Sequence, residues 1–363
     1  MPRSTTDRAP LASLETAGKP SPSSVEVSRG TGAEWDSYVS RHPLATVDHL
    51  WAWKSVFESA FSQRCEYVMA RRGTEVVGIL PLVLFQSRLF GRFVVSVPYL
   101  NYGGLLADDT VAAAALVDRA TAIGREFGAT HVELRHRARQ IESLPARQHK
   151  IGLCLDLPET TEALWAGIDR KIRNQVRKAQ KAELTTAIGG AELIDDFYTV
   201  FSENMRDLGT PVYSKGLFVE TLRHLQDRAS ITVVRLGHRP VAGALAVSFG
   251  TTTLVPWASS LREFRQLCPN MLLYWQLLES AVGRGMRTFD FGRSSPGGGT
   301  HQFKLQWGAR EELLHWEYVM LNGGAPPNQG PSNPKFARAI AVWQKLPLWL
   351  TNRCGPALAR QLP

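Results

Sequence analysis

Cysteine is scarce in this 363-residue chain. Cys65, Cys154, Cys268 and Cys354 stand far apart with no Cys-x-x-Cys pair, so neither a zinc site nor a disulfide framework is indicated. The nine histidines are scattered, with no His-x-x-x-His pair, and no metal is expected. Apolar runs are short and broken by charge, and none reads as a membrane span. Nucleotide loops are also missing. "SSPGGGTHQFKLQWG" has no Gly-Lys-Ser/Thr opening a helix, and it continues into aromatic, strand-like sequence where a dinucleotide fingerprint would open one. No cofactor is expected.

What is present is a large apolar content. Hydrophobic residues make up 44% of the chain and tryptophans number ten. The length suggests two domains. The formal charge of +9 suits an anionic partner: a nucleic acid, a nucleotide diphosphate or an acidic membrane face. Residues 1–24 are polar and rich in Pro, Ser and Thr, and read as a disordered arm. Such cysteine usage fits a reduced, cytoplasmic setting.

Two stretches run through the same order of events. "YVMARRGTEVVGILPLVLF" leads through "FVVSVPYLNYGGLLAD" to an Ala-rich helix over Thr110–Phe127 and the strand "THVELRH". "ITVVRLGHRPVAGALAVSFG" leads through "TTLVPWASSL" to the helix "PNMLLYWQLLESAVGRG" and the strand "RTFDFGRS". Gly78 and Gly243 read as turn glycines between strands. Gly128 and Gly285 read as helix stops, and each is followed by an alternating strand with an acid in its middle, Glu133 or Asp290. This order predicts an internal duplication of an α/β unit, each copy a mixed sheet flanked by helices. The expected domains are 25–158 and 159–324, divided near "DLPETTE", where Pro158 interrupts and Thr160 or Thr161 caps a new helix.

That helix, "ALWAGIDRKIRNQVRKAQKAEL", sets Leu164, Ile168, Ile172 and Val176 four apart on one face. The other faces carry Arg170, Lys171, Arg173, Arg177, Lys178 and Lys181, with Asp169 as the one acid nearby. Such a face is either a solvated surface or a seat for RNA phosphates. Residues 325–363 read as a linker followed by an amphipathic tail. There Trp343, Leu346, Leu348, Trp349 and Leu350 lie among Lys335, Arg338, Lys345 and Arg353. Both an interfacial membrane helix and a helix docked on its own domain fit this pattern.

Hairpin, strand, helix and strand in that order form the central run of the acetyltransferase (GNAT) fold. That fold wraps coenzyme A pyrophosphate with a glycine-containing loop opening the helix. The corresponding segments here, "LADDTVA" and "REFRQLCPNM", lack the glycines. The chain resembles the FemAB/FemX family, and within it the FemAB-related subgroup associated with exosortase (PEP-CTERM) and exopolysaccharide systems. The motifs that carry the resemblance are "RKIRNQVRKAQKAEL", "SENMRDLGTPVYSKGLF", "VPYLNYGGLLAD" and "FDFGRSSPGGGTHQFKLQWGA". It extends from about Val25 to the tail, and implies two tandem GNAT-like domains.

The resemblance also implies a chemistry: transfer of an aminoacyl group from aminoacyl-tRNA to an amine of a peptidoglycan precursor or another cell-envelope acceptor. Phe303 and Lys304 match the family's Phe-Lys pair, with Lys304 stabilising the tetrahedral oxyanion. Asp108 is the candidate proton acceptor, with Asp109 competing for the role. Phe303, Arg293, Tyr213 and Lys215 are candidates for substrate binding, and Arg173, Arg177 and Lys178 for RNA binding. Two other readings stay open: an acyl-CoA-dependent N-acetyltransferase, and a non-catalytic adaptor that binds RNA or the inner membrane.

Overall fold

The chain folds around two parallel strand pairs, each joined through a long helix. The computed structural model describes residues 24–327 and 337–362. The expected N-terminal arm, apart from Ser24, and Lys335 of the tail lie outside the described residues. In the first half, strand Gly91–Val95 runs parallel to His131–His136 and connects to it through helix Thr110–Phe127. In the second, Thr252–Ser260 runs parallel to Thr288–Ser294 and connects through helix Pro269–Gly283. Each pair is hydrogen-bonded over only a few residues, Val94–Val95 of the first strand and Thr252–Leu254 of the second, and then splays. The last paired residues are Val95 with Glu133 and Leu254 with Asp290. The acid noted in each strand therefore sits at the splay.

The two halves exchange strands. After the first half, the two-residue strand Ala146–Arg147 stays home, and Ile151–Asp156 crosses to pair with Thr288–Ser294. After the second half, Arg310–Leu313 stays home, and His315–Met320 crosses to pair with His131–His136. The results are a seven-stranded sheet in the second half and a six- plus a four-stranded sheet in the first. Each crossing strand pairs with the half on the other side of the 158–159 boundary expected from sequence. The core is continuous as well. Trp53 of the first half meets Trp257 of the second edge-on at 6.4 Å, and Phe218 packs on the same indole at 5.3 Å.

Local chemistry explains most elements. Both long helices end as expected, with Gly128 (φ 71°) and Gly285 (φ 72°) in the left-handed region that favours glycine. Gly78 and Gly243 differ from expectation: they lie inside strands Glu75–Leu80 and Arg239–Phe249. A Cβ on Gly78 would come 2.9 Å from the Leu116 side chain, and one on Gly243 would come 3.3 Å from Phe197. Their role is to let a helix lie close on the sheet. The basic helix is also two helices, Thr161–Gly167 and Arg170–Lys181. Thr160 caps the first and Asp169 the second, while Leu164, Ile168, Ile172 and Val176 are all buried beneath them. The glycine loop opens not into a strand but into a short helix, Gly299–Leu305. Among the described residues no helix is long and apolar enough to cross a membrane.

Candidate active site

Strand Thr288–Ser294 supplies the framework of the site. Phe289 and Phe291 face the second-half core, where Tyr274 stacks on Phe291 at 5.6 Å. Alternation turns Asp290 the other way, into the junction between the halves. There its carboxylate accepts the Tyr102 hydroxyl at 2.9 Å and the Gly292 N–H at 2.7 Å. Burial raises the Asp290 pKa. Gly292 has φ 74°, and a Cβ there would lie 3.1 Å from both Asn101 Nδ2 and the Val255 carbonyl. Only glycine fits this bend comfortably.

Lys304 reaches the same point from the last turn of Gly299–Leu305. It is 7% exposed, and its Nζ donates to the Gly292 carbonyl at 3.1 Å and the Arg293 carbonyl at 3.0 Å. An ammonium has three donors, and two are aimed at these carbonyls. Burial lowers its pKa to about 8, with Asp290 opposing the shift. The turn before the helix is held by His301. The Gly297 N–H donates to Nδ1 at 3.0 Å, which places the ring proton on Nε2, 2.5 Å from Glu311.

Arg293 lies beside Lys304. Its guanidinium donates to the Leu100 carbonyl at 2.9 Å and stacks on Trp316 at 5.2 Å. Arg135 stacks on the same indole at 4.1 Å and is bound to Glu133 at 2.7 Å. Burial, then Arg135, lowers the Arg293 pKa to about 10. Lys150 donates to Ser295 at 2.8 Å and is lowered to about 8 by burial, Arg293 and Arg135. Asp48 is fully buried and receives the N–H groups of Asn101 (3.2 Å) and Tyr102 (2.8 Å). Burial lifts it to about 7.

A cavity of about 390 Å³ opens on the first-half side of Tyr102. Its lining includes His49, Tyr102, Arg135, His136, Arg137 and Glu312. Arg137 pairs with Glu312 and covers the Tyr102 ring at 5.1 Å. His136 Nε2 accepts the Leu105 N–H at 3.0 Å, so its ring proton sits on Nδ1, 2.5 Å from Glu317. One phenol ring thus separates this cavity from Asp290, whose charge acts directly on Lys304.

The residues singled out from sequence are only partly brought together. Lys304 and Arg293 converge. Tyr213 packs with Phe61, Tyr99 and Phe201 and feels the charges of Arg293 and Arg135. Phe303 meets Tyr274 edge-on at 4.9 Å and packs, partly buried, against the second-half core. Lys215 opens a helix on the surface and pairs with Asp195. Asp108 accepts the Tyr38 hydroxyl at 2.7 Å, and no described interaction joins it to Lys304. Asp109 is the helix cap, accepting from Val111 and Ala112 at 2.9 Å and pairing with Arg72. Arg177 lies over Trp165 at 5.3 Å, while Arg173 donates to the Trp165 carbonyl at 3.4 Å. Lys178, Arg177, Lys181 and Asn174 line an open groove of about 370 Å³. Sequence reasoning missed Tyr102, Asp48, Arg135, His136 and Lys150. Only "NYGG" around Tyr102 carried a signal, as part of a motif whose individual roles were unassigned.

Residues 168–305 match the family model described as an acetyltransferase (GNAT) domain. A comparison with curated protein sequences gives no match. Among solved structures, FemX superposes with TM-score 0.63 at 16% identity, covering 82% of this chain and 98% of its own. A tandem GNAT protein from the clavulanic acid biosynthesis pathway gives 0.54 at 13% identity, covering 84% and 100%. The C-terminal domain of a putative lysylphosphatidylglycerol synthetase from Agrobacterium fabrum gives 0.55 at 12%, covering 80% and 92%. At such identities the likeness is one of fold, and the fold is a tandem GNAT-like α/β architecture.

Proposed function

We propose that the protein is an acyltransferase of the aminoacyl-transferring kind. It would move an aminoacyl group from an ester donor, aminoacyl-tRNA, to an amine of an envelope precursor or polysaccharide. The observation that carries this reading is Lys304, a nearly buried ammonium held on two carbonyls at the splay of the second-half strands. Attack of an amine on the ester carbonyl forms a C–N bond and a tetrahedral oxyanion. Collapse breaks the C–O bond, and the amine proton ends on the departing ribose oxygen. A fixed positive charge lowers the barrier to the oxyanion, and Lys304 supplies one. The cavity beside Tyr102, lined by His49, His136 and the Arg137–Glu312 pair, suits a polar acceptor. The groove at Arg177 and Lys178, with Arg173 behind it, suits the phosphates of the RNA donor.

The match to the acetyltransferase domain model favours a second reading, an acyl-CoA donor. Helix N-termini argue against it. In the first half the Asp109 carboxylate already occupies the N–H groups of Val111 and Ala112. In the second, Pro269 at the start of the helix removes a donor. A pyrophosphate needs those groups open. The decisive experiment offers purified protein aminoacyl-tRNA and acetyl-CoA in parallel, with amine acceptors, and follows formation of the amide. Amide from the RNA ester alone supports the first reading, and amide from the thioester alone replaces it with the second.

A further inference from the structure

The docked C-terminal tail presents a face that neither reading uses. Helix Leu348–Ala359 buries Thr351, Gly355 and Ala359 on one side. A Cβ on Gly355 would lie 2.8 Å from the Val212 side chain, so this contact is close. The end of the tail is tied to the first half. The Arg360 carbonyl accepts from Gln63 at 3.1 Å and from Tyr99 at 3.3 Å, and the Gln361 side chain accepts the Arg88 N–H at 2.9 Å. The opposite face is open, with Trp349, Arg353, Ala357 and Arg360 all exposed. Trp349 is 68% exposed and Val342, on the preceding helix, 61%. At the far end Leu89 is 62% exposed, in a turn whose N–H groups at Leu89 and Phe90 are both held by Ser87 Oγ.

The charges on this face have one sign. From Ala337 to Leu362 the charged residues are Arg338, Lys345, Arg353 and Arg360, with no Asp or Glu. Arg88 adds a further exposed cation beside Leu89. Asp207 and Glu203, on the helix that the tail packs against, are both engaged by Arg206.

We propose that this face is a docking surface for an anionic lipid bilayer, with Trp349 and Leu89 as its apolar anchors. RNA phosphates would match the cations but leave Leu89 and Val342 in water, and an apolar protein groove would strand the arginines. A bilayer of anionic headgroups over acyl chains satisfies both. The rigid docking of the helix means that the anchors are presented already ordered, so little conformational freedom is lost on binding.

The test uses the full chain and co-sedimentation with two vesicle preparations: phosphatidylcholine alone, and equal parts phosphatidylcholine and phosphatidylglycerol. The proposal expects binding to the mixed vesicles that weakens with salt. It expects the double substitution Lys345→Gln with Arg353→Gln to reduce that affinity about 30-fold. Trp349→Ala or Leu89→Ser should weaken it as well without changing the salt dependence. All four residues are exposed, so melting temperatures should stay unchanged, and Lys304→Met should bind vesicles as the parent does. Equal binding to both vesicle types, or full binding by the charge-neutralised variant, would overturn the proposal. So would loss of tRNA binding in that variant with vesicle binding intact, which would give the face to RNA.

Discussion

Tyr102 donates its hydroxyl to Asp290 at 2.9 Å across the junction between the halves, and Tyr318 donates to Glu133 at 3.0 Å in the opposite direction along the chain. Each half thus sends a phenol to the acid at the other half's strand splay. In the first case the acid's remaining oxygen fixes the Gly292 N–H, and the Gly292 carbonyl in turn holds Lys304. The exchange of strands and the placement of Lys304 are one arrangement.

Tyr102→Phe should therefore act on both stability and chemistry. It removes one donor from a buried carboxyl and leaves the ring in place, which costs about 1–3 kcal/mol. Chemical denaturation measures that loss. Tyr318→Phe should cost a similar amount while leaving the transfer rate closer to the parent's, because Glu133 has no bond to Lys304 or its two carbonyls.

Lys304 predicts two pH dependences of opposite sign. Its pKa in the folded chain is lowered from 10.5 to about 8. Below pH 8 the folded state carries a buried charge that the unfolded chain keeps in water, and between about 8 and 10.5 that penalty disappears, so its contribution to stability rises with pH. With Lys304 in its proposed role transfer needs the charged form, so the rate should fall as pH rises through about 8. Parallel melting and rate profiles check both signs.

Asp48 predicts a trend opposite to the stability trend of Lys304. Burial raises it from 3.8 to about 7, so the folded protein keeps a proton that the unfolded chain loses. The stabilisation from that proton is complete below about pH 4 and is lost as pH rises through 7. Asp48→Asn keeps an acceptor for the Tyr102 N–H and cannot ionise. It should be more stable than the parent at pH 8 by a few kcal/mol, on the order set by about three pKa units, with a flatter profile between pH 4 and 7.

The adjacent acids Asp108 and Asp109, just before helix Thr110–Phe127, should separate cleanly. Asp109→Ala removes a helix cap and should cost about 1 kcal/mol. Asp108→Asn keeps an acceptor for Tyr38, and should change neither stability nor transfer by much. A large loss of transfer with Asp108→Asn would restore the proton-acceptor role that its sequence position suggested.

Sequence pattern carried the order of elements well, because helix stops, caps and alternation are local. Gly128, Gly285, Thr160 and the buried stripe from Leu164 to Val176 all rest on chemistry within a few residues. The strand exchange was not legible. Nothing near Ile151–Asp156 or His315–Met320 states which half each will pair with, since both are short apolar strands with partners over a hundred residues away. Gly78 and Gly243 were misread for the same reason: the helices that need them small are distant in sequence. "GTHQFKL" reads as strand by its aromatic and apolar content, yet helix formation is what lets Phe303 pack on Tyr274 and Lys304 reach the Gly292 carbonyl. Of the candidate site, Lys304 and Arg293 stand out in the sequence through a motif that resembles that of the FemAB/FemX family. Tyr102, Asp48 and Arg135 acquire their roles only from tertiary placement.

Lys304 is proposed to stabilise the oxyanion of acyl transfer from an ester. The most direct measurement is single-turnover transfer from aminoacyl-tRNA to an amine acceptor by the parent protein and by Lys304→Met. Amide formation should fall about 100- to 1,000-fold in the variant, with tRNA binding unchanged. Transfer that persists at the parent's rate without the lysine would contradict it.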